Sequence, residues 1–226
     1  QGTITKDGSK MSKSKGNTVS PDLFVDQCGS DTFRCYLMFM GPYDEGGDWN
    51  DKGIKGINKF LGRSFRLCTN EADYDESNED LFMIHSTIKS VTHDLDEMKF
   101  NTGLSRLMEF VNYFYSKGLN TQSKSIYIQL LGPFAPHLCE ELWSKINDKS
   151  VFLSSWPEYD EKYLEKDNVN IAIQVNGKLR ASIEVDKNID KEELIEICKN
   201  HSNVIKFISD KEIIREIYVP NKIVNI

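Results

Sequence analysis

The spacing of the apolar residues changes once along this chain, and that change constrains the fold more than any other feature. From Asp51 to about Ser155, apolar residues recur at three- and four-residue intervals, the period of an amphipathic helix. From Asn168 onward they alternate with polar residues, the period of a half-buried strand. The sequence therefore predicts a mainly α protein, in which an antiparallel helix bundle is followed by a small α+β C-terminal domain.

Five helices are expected in the bundle. The apolar positions place them at residues 51–69, 79–98, 101–115, 122–131 and 137–145. An acidic linker at residues 70–78 follows the first helix, and short loops join the others, as in antiparallel bundles. We interpret the aromatic and methionine side chains on the apolar faces as core rather than as ligands of a cofactor.

The residues before the bundle carry signals of a turn and of two short helices. Asp7-Gly8 predicts a tight turn after an initial strand. Short helices are expected at residues 21–27 and 32–40, and Ser30 or Asp31 is expected to cap the second.

Residues 43–50 lie between the second short helix and the bundle and are rich in glycine and acidic residues. We predict a loop here, with Trp49 as a packing anchor, because large aromatic side chains dominate core energetics. Arg34, on the preceding helix, is expected to be a surface or hydrogen-bonding residue rather than a catalytic one.

The tail begins with a hairpin signal. Asn176-Gly177 is the preferred two-residue turn between antiparallel strands, and alternating residues flank it on both sides. Further helices are expected at residues 190–200 and 202–208, and further strands at residues 212–219 and 222–226. Residues 158–167 are charged and are expected to form a linker.

A lysine-rich stretch near the start is the candidate binding site of the sequence. Residues 10–17 read KMSKSKGN, so Lys10, Lys13 and Lys15 alternate with hydroxyl side chains or methionine. Three ammonium groups this close repel one another unless an anion lies among them, and a polyphosphate suits such point charges. The alternative is a solvated loop or a localisation patch, and the spacing alone leaves both open.

Composition limits the classes of function. The formal net charge is −7, which argues against coating nucleic acid by bulk electrostatics. The five cysteines are odd in number and form no C-x-x-C pair, so reduced core thiols are expected. The four histidines have no metal-ligand spacing, and no metal site is expected. The sequence shows no bilayer-spanning apolar run and no signal-peptide pattern, so a cytoplasmic location without membrane contact is expected.

The string KMSKS followed by KGN resembles the ATP loop of class I aminoacyl-tRNA synthetases. The resemblance implies that residues 10–14 bind ATP, supplied with Mg²⁺ as the substrate of the full-length enzyme. It also implies a catalytic role for Lys13, which would neutralise most of the pyrophosphate charge. Lys10, with Ser12 and Ser14, would position the loop, and Met11 lies within it.

The bundle and the tail resemble narrower groups of that class. The Gly53-x-x-Gly56-x-x-x-Phe60-Leu61 pattern, Phe100-Asn101-Thr102 and Pro133-Phe134-Ala135-Pro136-His137 resemble the anticodon-binding-type bundle of the leucine, isoleucine, valine and methionine synthetases. Residues 174–180 and 219–225 resemble the C-terminal domain of bacterial-type leucyl-tRNA synthetases. The implied domains are residues 1–50 as the end of the catalytic domain, 51–157 as the bundle, 158–167 as linker and 168–226 as a tRNA-binding domain.

This resemblance implies a monomeric ligase that joins leucine to tRNA(Leu) using ATP. Lys178 and Arg180 are candidate RNA contacts, weighed evenly against a role as solubilising charges. Arg63, Arg66 and Arg106 are weaker candidates, for which surface ion pairs are the preferred interpretation.

One departure from the class is large. The sequence contains no H-I-G-H-type motif, which supplies the other half of the ATP site. We therefore expect Gln1 to be the cut end of a longer protein and the fragment alone to be inactive. The alternatives are the isoleucine, valine or methionine enzyme, a non-catalytic RNA-binding module, and a helical scaffold that binds proteins through its tail.

Overall fold

A computed structural model describes residues 2–70, 72, 75–164, 168–209, 211 and 213–226, with Asn168 described in its backbone only. The chain divides into two compact units, Gln1–Leu164 and Glu165–Ile226. Parts of four predicted features lie outside the described residues: the cut end at Gln1, residues 71, 73 and 74 of the acidic linker, residues 165–167 of the charged linker, and Glu212 of a tail strand. The domain boundaries given above remain a prediction.

The first unit opens with a three-stranded sheet. Its strands are β1 (Thr3–Lys6), β2 (Ser9–Lys10) and β3 (Gly46–Trp49), in the order β2-β1-β3. β1 and β2 form an antiparallel hairpin around the predicted Asp7-Gly8 turn, where both residues adopt positive φ (55° and 69°). The prediction of a loop at residues 43–50 is wrong for β3, which pairs in parallel with β1. Because its partner lies some forty residues earlier, no local periodicity marks this strand.

Two helices lie between β2 and β3, namely α1 (Pro21–Cys28) and α2 (Ser30–Phe39). The prediction that Ser30 or Asp31 caps the second helix is wrong, since both belong to its first turn and Gly29 is the capping residue. The Asp31 carboxylate instead accepts a hydrogen bond from the backbone N–H of Leu138 (2.8 Å) and one from Arg34 (2.9 Å). The expected hydrogen-bonding role of Arg34 is therefore confirmed.

Five helices follow and form the bundle. They are α3 (Gly53–Thr69), α4 (Asn78–Asp96), α5 (Phe100–Phe114), α6 (Thr121–Leu131) and α7 (Pro136–Trp143), within a few residues of the predicted bounds. Short 3-10 turns at Val151–Leu153 and Glu161–Tyr163 come after them. Phe110 is core as expected: it is fully buried and stacks on Tyr127, with ring centroids 5.0 Å apart. The interpretation is wrong for Phe65 and Met98, which are 38% and 58% exposed near the ends of their helices.

Trp49 joins the small sheet to the helices. It is 3% exposed, and its ring lies 4.9 Å from those of Phe24 and Tyr36 in edge-on contacts. The expected role as a packing anchor is confirmed. The sheet that carries the lysine-rich stretch is thereby packed on the same core as the bundle.

The cysteines are free thiols, and all but Cys28 are buried. Burial raises the pKa of both Cys35 and Cys68 to about 12, so these thiols stay protonated near neutral pH. The expectation of reduced core thiols is confirmed for the four buried residues, which pack as small hydrophobic side chains.

A buried carboxylate fixes the start of α4. Ser77 and Asp80 form a capping box, and Lys117 Nζ lies 2.7 Å from Asp80 Oδ1. Asp80 is 3% exposed. Burial raises the pKa of Asp80, but the hydrogen bonds from Lys117 and Ser77 outweigh this effect and hold that pKa below its usual range.

We expect Asp80→Asn to lower the free energy of unfolding by about 1–3 kcal/mol at pH 7, because Lys117 loses its charged partner. A depressed carboxyl pKa stabilises the fold above the unfolded pKa of about 3.9, and this contribution is lost as pH falls through the folded pKa. The difference between wild type and variant should therefore shrink in urea titrations below about pH 4. Exposed Asp148→Asn is the matched control, and a pH-independent difference would contradict the expectation.

The second unit is a four-stranded sheet with two helices. In chain order it contains β4 (Asn168–Val175), β5 (Lys178–Asp186), α8 (Lys191–Lys199), α9 (Ser202–Ile208), β6 (Ile217–Val219) and β7 (Ile223–Asn225). The sheet order is β5-β4-β7-β6. The Asn176-Gly177 hairpin forms as predicted, and β4 also pairs in parallel with β7. The predicted strand at residues 212–219 is shorter in the structure, where it begins at Ile217.

Candidate functional site

A hairpin supports the lysine-rich stretch. Asp48 on β3 accepts hydrogen bonds from the Thr5 hydroxyl (2.6 Å) and from the Gly8 backbone N–H (3.0 Å). These hydrogen bonds lower the pKa of Asp48 and keep it ionised. A single carboxylate thus links the β1-β2 turn to the neighbouring strand β3. The hairpin that precedes the lysine-rich loop is therefore held in place.

The stretch itself is a short 3-10 turn over Lys13–Lys15. Ser12 caps this turn by accepting the Lys15 N–H at its side-chain oxygen (3.3 Å), and Gly16 ends it with φ 65°. Met11 points the other way and packs against the core of the first unit. Backbone and serine therefore set the shape of this loop without using any lysine side chain.

Asn17 closes the loop, a role that the sequence analysis did not assign. Its side-chain oxygen accepts the Ser12 N–H (2.9 Å), and its side-chain nitrogen donates to the Lys10 carbonyl (3.3 Å). One carboxamide thus links Asn17, which follows the 3-10 turn, to two residues that precede the turn. The signal available in the sequence was an asparagine directly after Gly16, a position where side-chain to backbone hydrogen bonds are common.

We expect Asn17→Ala to release this clamp without unfolding the protein. The Ser12 amide loses its acceptor, which is worth about 1 kcal/mol, so its hydrogen exchange should accelerate by about tenfold. Asn147→Ala, at an exposed site, is the matched control. Unchanged protection of the Ser12 amide in exchange measured by NMR would refute the clamp.

The lysine side chains of the loop carry uncompensated charge. Lys10, Lys13 and Lys15 are exposed, and none of them forms an ion pair with any carboxylate of the described residues. The loop offers ammonium groups, hydroxyls and backbone N–H groups but no carboxylate. Within the described part of the chain, no group of His, Cys, Asp or Glu side chains fits a metal ion. The donor set therefore suits a polyphosphate and does not suit a resident metal.

The predicted ATP-loop residues lie together in one loop of the first unit. The two predicted RNA contacts, Lys178 and Arg180, lie in the second unit. Lys178 is exposed directly after the hairpin turn. The Arg180 guanidinium lies 3.8 Å from the centroid of the Phe207 ring, and its Nε is buried without a partner among the described residues. Stacking fixes the plane of the guanidinium, which leaves its outer N–H groups as donors.

The three bundle arginines differ from one another. Arg106 forms the expected surface ion pair, with Glu109 at 3.5 Å. Arg63 donates to Asn112 (2.6 Å) and lies 4.4 Å over the Tyr115 ring, and Arg66 donates to the Tyr115 hydroxyl (3.0 Å). For Arg63 and Arg66 the structure thus gives neutral partners in place of the carboxylates that were expected.

Matches to two protein-family models define the class of protein to which the chain belongs. The chain belongs to the family of the anticodon-binding domain of tRNA ligases, whose model matches residues 81–195, just over half of the chain. The family model of the class I tRNA synthetases for isoleucine, leucine, methionine and valine (I, L, M and V) matches residues 2–49, which include the lysine-rich loop. The resemblance expected from the sequence is confirmed.

Within this class, the chain is similar in sequence to leucine–tRNA ligases. The leucine–tRNA ligase of Caldanaerobacter subterraneus subsp. tengcongensis is 43% identical over 100% of this chain, which covers 30% of that protein. The leucine–tRNA ligase of Mycoplasma mycoides subsp. mycoides is 43% identical over 97% of the chain and 28% of its own length. This chain thus spans about 30% of the length of the curated relatives that it matches.

A solved structure shares the fold. The crystal structure of the Agrobacterium radiobacter K84 agnB2 LeuRS-tRNA-LeuAMS ternary complex matches with a TM-score of 0.81 and 30% identity, over 100% of this chain and 32% of that chain. The predicted fold class, a helix bundle followed by a small α+β part, is confirmed. Among the described helices, none is both long and apolar enough to cross a membrane.

Proposed function

We propose that this chain is part of a leucine–tRNA ligase, which joins leucine to tRNA(Leu) with ATP through leucyl-adenylate. The observation that carries the proposal is the 43% identity to a leucine–tRNA ligase along the whole chain. Relatives of this name favour leucine over isoleucine, valine or methionine as the amino acid. The partner in the solved neighbour, a tRNA, supports tRNA as the second substrate.

In this proposal residues 10–14 act on the first step. A leucine carboxylate oxygen forms a bond to the α-phosphorus of ATP while the bond from that phosphorus to the bridging oxygen breaks, and pyrophosphate leaves with its electrons. Negative charge grows on the departing group. Lys13 and Lys10, exposed and without ion pairs among the described residues, are the groups that stabilise this charge, because fixed cations act most strongly where charge develops.

Mg²⁺ enters this proposal only as the companion of ATP. The loop residues fit phosphates and not a metal, and we derive no step through a metal held by this chain. Ser12 and Asn17 position the loop backbone, and neither has to move a proton.

Lys178 and Arg180 are proposed to contact tRNA phosphates from the second unit. The support is the exposure of Lys178 and the stacking of Arg180 on Phe207, which orients a planar fork of donors.

We further propose that the protein is a monomer and is located in the cytoplasm. The free buried thiols support a reducing compartment.

A graft tests the whole proposal. This chain replaces the matching 30% of the Caldanaerobacter relative, and leucine-dependent ATP–pyrophosphate exchange and leucylation of tRNA(Leu) are measured. We expect both activities in the graft and neither in the relative with that part deleted. A self-graft, in which the relative's own segment is restored through the same junctions, is the control. An active self-graft beside an inactive graft would refute the assignment.

A further inference from the structure

The last segment of the first unit lies along helix α4. Residues 156–164, which we call the strap, include the 3-10 turn Glu161–Tyr163 and end where the first unit ends. At the start of the strap, Trp156 Nε1 donates to Thr92 Oγ1 on α4 (2.8 Å). Near its end, the Tyr163 ring stacks on the His85 ring, with centroids 4.5 Å apart. Since His85 and Thr92 lie about two helical turns apart, the strap follows the surface of α4 over that length.

A hydrogen bond in the middle of the strap requires a neutral histidine. The Asp160 backbone N–H donates to His85 Nδ1 (3.0 Å). A ring nitrogen accepts a hydrogen bond only when it carries no proton, and both ring nitrogens of an imidazolium are donors. In neither ring orientation can a protonated His85 accept this N–H. The contact is therefore lost when the ring gains a proton.

The charged and titratable groups around His85 oppose one another. Among the described residues they include Asp160, Lys162 and Tyr163 of the strap and Glu76, which precedes α4. Burial lowers the pKa of His85, and so does the Lys162 ammonium, whereas Asp160 and Glu76 raise it; the net effect is a lowered pKa. The Asp160 carboxylate is itself held by Lys162, at 2.8 Å. The closed strap therefore favours the neutral ring.

The other contacts of the strap are at the surface. Lys89, one turn along α4 from His85, pairs with Glu161 (3.2 Å) and lies 5.1 Å over the Tyr159 ring. Both members of this ion pair are exposed, and such pairs contribute little. No residue of the strap is buried. With so few attachments, the loss of one hydrogen bond and the repulsion that replaces it can open the segment.

We propose that protonation of His85 releases the strap from α4, so that the segment before the second unit responds to pH. A histidine whose pKa is lower in the closed state stabilises that state fully above the pKa of the open state, about 6.5. Below that pH the stabilisation falls by up to about tenfold per pH unit, until the closed state also binds the proton. This inference does not depend on the ligase proposal, since it concerns contacts within the first unit.

The test is amide hydrogen exchange of the intact chain by NMR, with each rate divided by the intrinsic rate at the same pH. Between about pH 7.5 and 5.5, we expect protection of the Asp160 amide to fall by about tenfold, while the carboxylates stay ionised. Protection of the Ile88 amide, in the buried part of α4, should not change and reports that the fold is intact.

Three variants make the test specific. His85→Asn keeps an acceptor at the Nδ1 position that does not titrate, so the Asp160 amide should be protected equally at both pH values. His85→Gln places its amide farther out, at the Nε2 position, and should lose this protection at both. His93→Asn, at an exposed histidine on the same helix, is the matched control and should behave as wild type.

The outcomes are distinct. Equal protection of the wild-type Asp160 amide at both pH values would overturn the proposal, and so would an unprotected amide at the higher pH. The same pH dependence in His85→Asn as in wild type would assign the effect to another group. As a second measurement, the midpoint of the His85 ring titration should coincide with the loss of Asp160 protection.

Discussion

Lys13→Ala in the grafted ligase is expected to slow leucine-dependent ATP–pyrophosphate exchange by about 10²–10³-fold, the loss typical of removing one stabilising group from a developing anion. The reason is that the Lys13 ammonium has no carboxylate partner in the described structure and is free to meet the leaving pyrophosphate. Since that charge grows only as the bond breaks, the loss should fall mainly on kcat and less on KM for ATP.

Two comparisons make this result specific. Lys149→Ala removes the same charge from an exposed site in the first unit and should leave exchange unchanged. Asn17→Ala leaves every lysine in place and should give a smaller loss than Lys13→Ala, because it affects only the position of the loop. Suppose that the Lys13→Ala and Lys149→Ala grafts had equal rates of ATP–pyrophosphate exchange, while only Lys13→Ala bound tRNA more weakly. The loop would then serve RNA binding and not catalysis.

Phe110→Ala is expected to destabilise the first unit by about 3–5 kcal/mol. Phe110 is fully buried, and its ring lies 4.6 Å from that of Phe114 and 5.0 Å from that of Tyr127. Removing the ring leaves a cavity between α5 and α6 that rigid neighbours fill only in part. All three tryptophans lie in the first unit, so tryptophan fluorescence during urea unfolding reports this unit alone.

Phe152→Ala is the matched control for Phe110→Ala. Phe152 is 55% exposed, and the same truncation there should change the free energy of unfolding by less than about 0.5 kcal/mol. Similar losses at both positions would show that Phe110 does not occupy the core contact seen in the structure. Thermal unfolding followed by tryptophan fluorescence gives a second comparison of the stabilities of wild type, Phe110→Ala and Phe152→Ala.

Sequence reasoning succeeded where the signal lies within one segment. The helices of the bundle follow from three- and four-residue spacing, which a single helix displays by itself. The hairpin of the second unit follows from Asn176-Gly177, whose backbone preference is local. The lysine-rich loop could be named as a candidate phosphate site because KMSKS followed by KGN lies within one segment, and its binding role stays a prediction.

Sequence reasoning failed where two distant segments meet. β3 was predicted to be a loop, since nothing in Gly46–Trp49 itself reveals that β1 supplies its hydrogen-bond partners. Asp31 looked like a cap for its own helix but reaches Leu138 at the start of α7. Arg63 and Arg66 were expected to pair with carboxylates, whereas Tyr115, on the turn after α5, holds both of them.

The sequence by itself therefore determined the order of helices and strands, the family of the chain and the identity of the phosphate-binding candidates. Only the tertiary structure decided that Asn17 closes the loop, that Asp48 holds the β1-β2 turn and that Arg63 and Arg66 contact Tyr115. The physical reason is that periodicity and turn preference belong to neighbouring residues. Partners of polar and charged side chains depend on which segments the collapsed chain brings within hydrogen-bonding distance.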